Sequence, residues 1–210
     1  MGKQALVWSV PRDWEGQTAF IIGGGPSVSD ENIEALKGRH CIAVNSSYEI
    51  APWSEFLLFG DLPWWHHHSK YLRTFAGKVV TVSASQARDT SAIHLLRCRK
   101  VKPPPGLSTN PQELVMQKTT LQGAMNLAVH LGSNRIVLLG ADMARAADGR
   151  THHHKPHARP PKSGCWDEQM QQLRLIAEPL SNLNISVINT SMRSRIDWWE
   201  RKPLTEVLAS

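Results

Sequence analysis

Residues 18–30 read TAFIIGGGPSVSD. Ala19 to Ile22 is a short apolar run without polar alternation, the pattern of a strand buried on both faces. Three glycines, a proline and two serines follow at once, and Glu31 to Leu36 has helical character behind Ser29 and Asp30. A buried strand that ends in glycines and feeds a helix is a physical recipe for holding an anion. Glycines let the backbone come close, while unpaired helix N–H groups and the positive dipole end face the ligand. The turn matches neither G-x-G-x-x-G nor G-x-x-x-x-G-K-[ST], so a tight β–α turn without a ligand is the competing reading of this stretch alone.

Outward from the turn the same rhythm repeats. Short apolar strands are expected at 41–44, 56–59, 78–82, 135–139 and 185–188, each rich in β-branched or large apolar residues. A helix is expected over 119–131, with Ala124, Leu127, Ala128 and Leu131 on one face and Gly132 placed to end it. Further helices are expected over 166–180 and 204–208. PWWHHHSKYL lies between the third and fourth strands, and 92–105 holds a further strand and the proline-rich start of an exposed connector, Lys102 to Gly106. Strands alternating with helices predict an α/β fold. The expected architecture is a Rossmann-like, doubly wound, mainly parallel sheet of about six strands with flanking helices. Residues 1–210 are expected to form a single nucleotide-binding domain, with 1–17 as a lead-in and 145–164 as a mobile His-rich loop. Trp8 and Trp14 of the lead-in are expected to cover an edge of the core.

The composition narrows the class. With 41% hydrophobic and 20% charged residues, the chain is an ordinary globule rather than a disordered one. A net charge of +6 suits an anionic partner, such as a nucleotide, a nucleotide-sugar, nucleic acid or a membrane surface. The basic residues are scattered and no aromatic residues interleave with them along a strand, so nucleic acid is the less supported partner. Cys41, Cys98 and Cys165 lie far apart with no C-x-x-C, which points to neither zinc nor disulfides and suits a reducing cytoplasm. No signal peptide is expected, and no apolar run reaches the roughly 20 residues of a membrane span. Homo-oligomerisation is left open.

Ligands in an open parallel sheet sit beyond the carboxyl ends of the strands. Those ends carry Gly23, Gly24, Gly25, Pro26 and Ser27, then Asn45, Asp61, Ser83, Gly140 with Asp142, and Asn189 with Ser191. Small and polar groups gathered at one edge are what a nucleotide pocket needs, although any one of them alone is an ordinary turn former. Asp61 and Asp142 are the carboxylates of the set, each able to hold a divalent cation, accept a ribose hydroxyl or cap a helix. Seven of the ten histidines fall in His66 to His68, His152 to His154, and His157. Both clusters follow strand ends, so both are expected over the pocket. The spacing does not suit a metal site, because Lys155-Pro156 opposes the helix that His153 and His157 would need. A general base with a near-neutral pKa is the better use for a loop histidine, against the alternative of a merely polar loop.

IIGGGPSV, AVN, GD, TTLQGAMNLAVHLGSNRIVLLGADM and NTS together resemble a phage- and prophage-encoded group of small proteins. That group looks like a trimmed relative of two families, the single-domain Rossmann-like bacterial sialyltransferases and the 6-hydroxymethylpterin diphosphokinase-like proteins. The resemblance to sialyltransferases implies that Gly24, Gly25, Pro26, Ser27 and Asn45 contact a nucleotide-sugar donor. It also brings Thr119 and Thr120 to the donor, with Leu121 where that family has glycine, and makes His152, His154 or His157 the general base. No cofactor or metal is implied. The diphosphokinase resemblance implies instead Mg²⁺ and ATP, with Asp61 or Asp142 near the metal. A third expectation is a non-enzymatic phage accessory protein that binds a nucleotide or nucleic acid.

Overall fold

The computed structural model describes residues 6–87, 93–98, 105–154 and 164–209. Strand β1 (Thr18–Ile22) leads through the glycines into two 3-10 turns, Pro26–Asp30 and Ile33–Leu36. Strand β2 (Cys41–Val44) runs into a third, Asn45–Glu49. Strand β3 (Phe56–Phe59) precedes helix α1 (Leu62–His68) and a 3-10 segment, Ser69–Thr74. Strand β4 (Lys78–Thr81), the short helix α2 (Ala84–Ala87) and strand β5 (Ile93–Leu95) follow. Strands β6 (Arg97–Cys98) and β7 (Glu113–Leu114) pair apart from the main sheet. Helix α3 (Thr120–Leu131), strand β8 (Arg135–Leu139), helix α4 (Cys165–Asn182), strands β9 (Ser186–Asn189) and β10 (Glu200–Arg201), and helix α5 (Leu204–Ala209) complete the order.

The main sheet has the order β10-β9-β8-β1-β2-β3-β4-β5, and every pairing in it is parallel. The α/β class and doubly wound parallel sheet are as expected, but the main sheet has eight strands among the described residues rather than about six. Edge strand β5 is the further strand expected within 92–105, and the addition is the edge strand β10, of two residues, too short to carry a periodic signal. From β1 the chain steps outward through β2, β3, β4 and β5, then returns to place β8 on the other side of β1. The winding therefore reverses between β1 and β8, and in such sheets ligands bind in the crevice that this reversal opens.

Alternate strand residues feed two cores. Ala19, Ile21, Ile136 and Leu138 pack with Leu127, Leu131, Leu173 and Ile176 of α3 and α4. Phe20, Ile22, Val137 and Leu139 pack on the opposite face with Val28, Leu36, Leu204 and Val207. Being buried on both sides, β1 and β8 read as unbroken apolar runs. Trp14 sits fully in the first core, edge to face with Phe56 at 5.3 Å between ring centroids.

Helix α3 is buried nearly all round, yet it carries Gln122, Asn126 and His130 at spacings of four, one stripe of the helix. That stripe stitches the 106–115 segment down. Gln122 Nε2 donates to the Gly106 carbonyl, and Asn126 Oδ1 accepts from the amides of Ser108 and Val115. His130 Nε2 bonds the Glu113 carbonyl at 2.8 Å. The expected exposed connector therefore ends buried at Gly106, against Leu175; its residues 102–104 lie outside the described residues.

Two local expectations change. The glycine turn is followed by two short 3-10 turns instead of an α-helix, because Pro26, Val28, Ser29 and Asp30 are poor helix-interior residues. The His66 to His68 cluster, expected over the pocket, ends helix α1 instead, with Pro63 in the first turn where a missing N–H costs nothing.

Candidate functional site

A cavity of about 200 Å³ lies at the carboxyl ends of the strands, at the switch point. Its floor is the glycine turn. Gly23 N donates to the Leu139 carbonyl at 2.8 Å and Gly25 N to the Gly140 carbonyl at 3.0 Å, tying the ends of β1 and β8 together. The Asp142 carboxylate, 6% exposed, completes the tie: one oxygen accepts from Ser27 N at 3.2 Å and the other from the Ser191 hydroxyl. A Cβ on Gly25 would run into Asp142 Oδ2 and the Gly140 carbonyl oxygen, so only glycine fits there. Gly140 is also constrained, with φ +65° and Val28 packed over its Cα.

The turn thus has a different use from the amide cradle expected of it. The amides of Gly23, Gly25 and Ser27 are already bonded within the protein, and Asp142 sits where an external anion would meet the first 3-10 turn. What the glycines present to the cavity is a flat backbone surface that permits close approach.

One wall comes from the ends of β2 and α3. Asn45 holds a left-handed backbone, φ +51°, which Asn tolerates better than most residues. Its Nδ2 lies 3.4 Å from Thr120 Oγ1, and its buried Oδ1 has no partner among the described residues. Thr119 caps α3, accepting from Leu121 N at 3.2 Å, so the positive end of a 12-residue helix opens on the cavity beside Lys118. Lys118 forms an ion pair with Glu168 of α4 at 2.8 Å across the mouth. Asp61, after β3, is exposed and its side chain caps nothing; it lines both this cavity and an adjoining one of about 320 Å³.

The opposite wall is residues 151–154. His152 and His154 both line the cavity, with their rings stacked at 4.9 Å, and Thr151 Oγ1 lies 2.9 Å from His152 Nδ1. His153 points the other way. Its amide donates to the Gly24 carbonyl at 3.1 Å, and its Nε2 lies 3.2 Å from Ser47 Oγ. Ser47 spends its single proton on the Gly23 carbonyl at 2.9 Å, so it must accept from His153, which fixes the Nε2–H tautomer. Burial, with a smaller push from His154, lowers the His153 pKa from the ordinary 6.5 to about 4, so this ring is neutral.

Of the sequence-derived candidates, Gly23, Gly24, Gly25, Asn45, Asp61, Thr119, Thr120, Asp142, His152 and His154 are brought together around the cavity. Pro26 and Ser27 lie behind the glycines. Asn189 and Ser191, 0% and 1% exposed, sit beneath the site, where Asn189 Nδ2 bonds the Ala141 carbonyl and Ser191 anchors Asp142. His157 lies outside the described residues. The first histidine cluster does not share the pocket, because α1 carries it away from the switch point. His68 is buried, stacked on Trp64 at 4.5 Å and bonded to the Tyr48 hydroxyl at 3.0 Å, while His66 and His67 are exposed. Sequence reasoning missed His153, Lys118, Trp166 and Gln169. No local signal marked His153, because its contact with Ser47 spans 106 positions. No group of three or more metal-ligating side chains occurs among the described residues.

No protein-family model and no curated protein matches the chain. Solved structures do. MAf glycosyltransferase from Magnetospirillum magneticum AMB-1 superposes on 96% of this chain with a TM-score of 0.67 at 15% identity. This chain spans only 36% of that one, about a third of its length. The sialyltransferase CstII from Campylobacter jejuni, in complex with cytidine-5'-monophosphate, matches with a TM-score of 0.57 at 10% identity, over 90% of this chain and 86% of that one. The same enzyme with CMP-3FNeuAc gives 0.53 at 11% identity, over 89% and 85%. At these identities the likeness establishes a shared fold. No helix among the described residues is long and apolar enough to cross a membrane.

Proposed function

We propose that this protein is a sialyltransferase-like glycosyltransferase that uses a nucleotide-sugar donor and needs no metal. The observation that carries the reading is the pairing of two unlike walls across one switch-point cavity. On one side stand the α3 N-terminus, Lys118 and the unpartnered Asn45 Oδ1. On the other stand His152 and His154. The fold shared with proteins described as glycosyltransferases, one of them in complex with CMP, supports the same reading.

In this scheme the donor phosphate lies at the α3 N-terminus beside Thr119, Thr120 and Lys118, where helix dipole and ammonium favour negative charge. Asn45 Oδ1 accepts from a nucleotide N–H or O–H. The nucleotide packs against the glycine surface, which no side chain blocks. An acceptor hydroxyl attacks the anomeric carbon, the bond from that carbon to the phosphate oxygen breaks, and the nucleotide leaves with its electron pair. His152 or His154 takes the hydroxyl proton. Asp61, at the junction of the two cavities, faces the reacting sugar.

The test is a thermal-shift panel of CMP, UDP, GDP, CMP-sialic acid and ATP, each with Mg²⁺ and with EDTA, followed by transfer assays with any donor that binds. A ligand at 100 times its Kd adds roughly 2.7 kcal/mol of stability, readily seen as a shift. A pyrimidine nucleotide that shifts the transition equally in EDTA, with sugar transfer to a hydroxyl acceptor, is the expected result. A shift by ATP alone and only with Mg²⁺ would replace this reading with a phosphotransferase. Silence across the panel would overturn donor binding altogether and turn attention to nucleic acid and protein partners.

A further inference from the structure

The middle histidine of the 152–154 run is the one group of that loop which the transfer scheme leaves unused, and it is the best anchored. Three ties bind the loop to the glycine turn and its surroundings. Arg150 reaches Ser29 Oγ at 3.4 Å, the His153 amide donates to the Gly24 carbonyl at 3.1 Å, and the His153 ring donates to Ser47. Ser47 passes the contact on to the Gly23 carbonyl at 2.9 Å. The ring, a hydroxyl fully buried on the segment after β2, and the first glycine of the cavity floor thus form one chain of hydrogen bonds. With His153 held against Ser47, the rings of His152 and His154 face the cavity together.

We infer that His153 is a positioning residue: its Nε2–H bond to Ser47 docks the loop on the glycine turn and sets His152 and His154 against the cavity. The inference rests on the transferase reading for its consequence in catalysis, and on geometry alone for the docking. The lock depends on a neutral ring. A protonated His153 would carry a charge into a site whose one acidic neighbour on the Ser47 segment, Glu49, is turned to His68 at 3.5 Å. The titratable group facing His153 is His154, with ring centroids 5.1 Å apart, which opposes a second positive charge. The Gly23 to Gly25 segment beneath carries no ionisable side chain.

The experiment compares the wild type with His153→Ala, His153→Gln and Ser47→Ala in the full chain. Glutamine keeps an N–H donor near the Nε2 position and never ionises. Hydrogen exchange at the 151–154 amides reads docking, and imidazole nitrogen NMR reads the tautomer; neither requires activity. We expect a wild-type His153 that stays an Nε2–H neutral ring through pH 5. Loop amides should exchange faster in His153→Ala and Ser47→Ala, and be protected again in His153→Gln. With a donor identified, kcat should fall by about 10²-fold in His153→Ala, the loss expected of a roughly 1 Å misplacement, with nucleotide Kd unchanged and the glutamine variant largely restored. An Nδ1–H tautomer, or exchange unaltered in both the alanine and Ser47 variants, would overturn the inference. If the wild type transfers no sugar from any donor, the transferase reading fails by itself, and exchange with the NMR tautomer still decides the docking. Should His153→Ala not fold, Ser47→Ala and His153→Gln carry the same comparison.

Discussion

The protein contains the same tripeptide twice, and the two copies have opposite fates. His66 to His68 closes helix α1, and His152 to His154 runs along a loop at the cavity. On the helix, neighbours are splayed by about 100° each, so one ring is buried and two face solvent. His68 goes in, beneath Trp64 and Tyr48, and His66 and His67 stay out. On the loop, the middle ring turns to Ser47 and the outer two share one side. That side is the cavity. Identical chemistry becomes a packing unit in one place and a pair of candidate bases in the other, through the surroundings that each backbone meets.

The strongest way to break this comparison is to remove the cavity pair. A His152→Ala, His154→Ala double variant should lose about 10²–10⁴-fold in turnover if either ring is the general base, with melting temperature and nucleotide affinity preserved. Unchanged turnover would make the loop histidines no more chemical than those of α1. Next comes the buried member of the helical run. His68→Ala removes a stacked ring and takes a partner from the hydroxyls of Ser46 and Tyr48, and should cost about 2–4 kcal/mol in denaturant unfolding while leaving kcat of the folded fraction intact.

A smaller effect reads His153 by pH. Since the His153 pKa is lowered by burial, the unfolded chain binds a proton that the native state refuses between about 4 and 6.5. Stability should therefore fall as pH is lowered through that window and level off below it. His130 and His94, also lowered by burial, act in the same direction. His153→Gln should make the acid decline shallower, read as urea midpoints at pH 7, 6 and 5; an identical slope would deny the buried neutral ring. Last, His66→Ala and His67→Ala, on the exposed side of α1, should move stability by no more than about 0.5 kcal/mol and leave activity alone. A large loss of turnover from either would bring α1 into the site after all.

Much of the fold was legible because its signals are local. Strands β1, β2, β3 and β8 sit where the apolar runs placed them, since a strand buried on both faces has to be apolar at every position. Helix α3 begins at the Thr119 cap and ends at Gly132, φ +96°, because capping chemistry and left-handed glycine are written in single residues. The cavity-lining glycines, Asn45, Asp61 and two loop histidines were legible from the rule that strand ends meet at one edge, whereas Thr119 and Thr120 came only from the family resemblance. The two-residue edge strand β10 was not, and neither was the pair of 3-10 turns after the glycines, where weak propensities were set by packing.

By itself the sequence determined the alternation of strands and helices, the parallel sheet and the edge at which small polar residues gather. Each of those follows from periodicities and caps spanning a few neighbours. Only the tertiary structure decided what the gathered residues do. Asp142 meets Ser27 across 115 positions and His153 meets Ser47 across 106. Those two contacts turn a carboxylate into a clamp for the glycine turn and a loop histidine into its lock. Neither contact is encoded in a local pattern, because each exists only once the winding of the sheet has brought β1, β2 and β8 to one place.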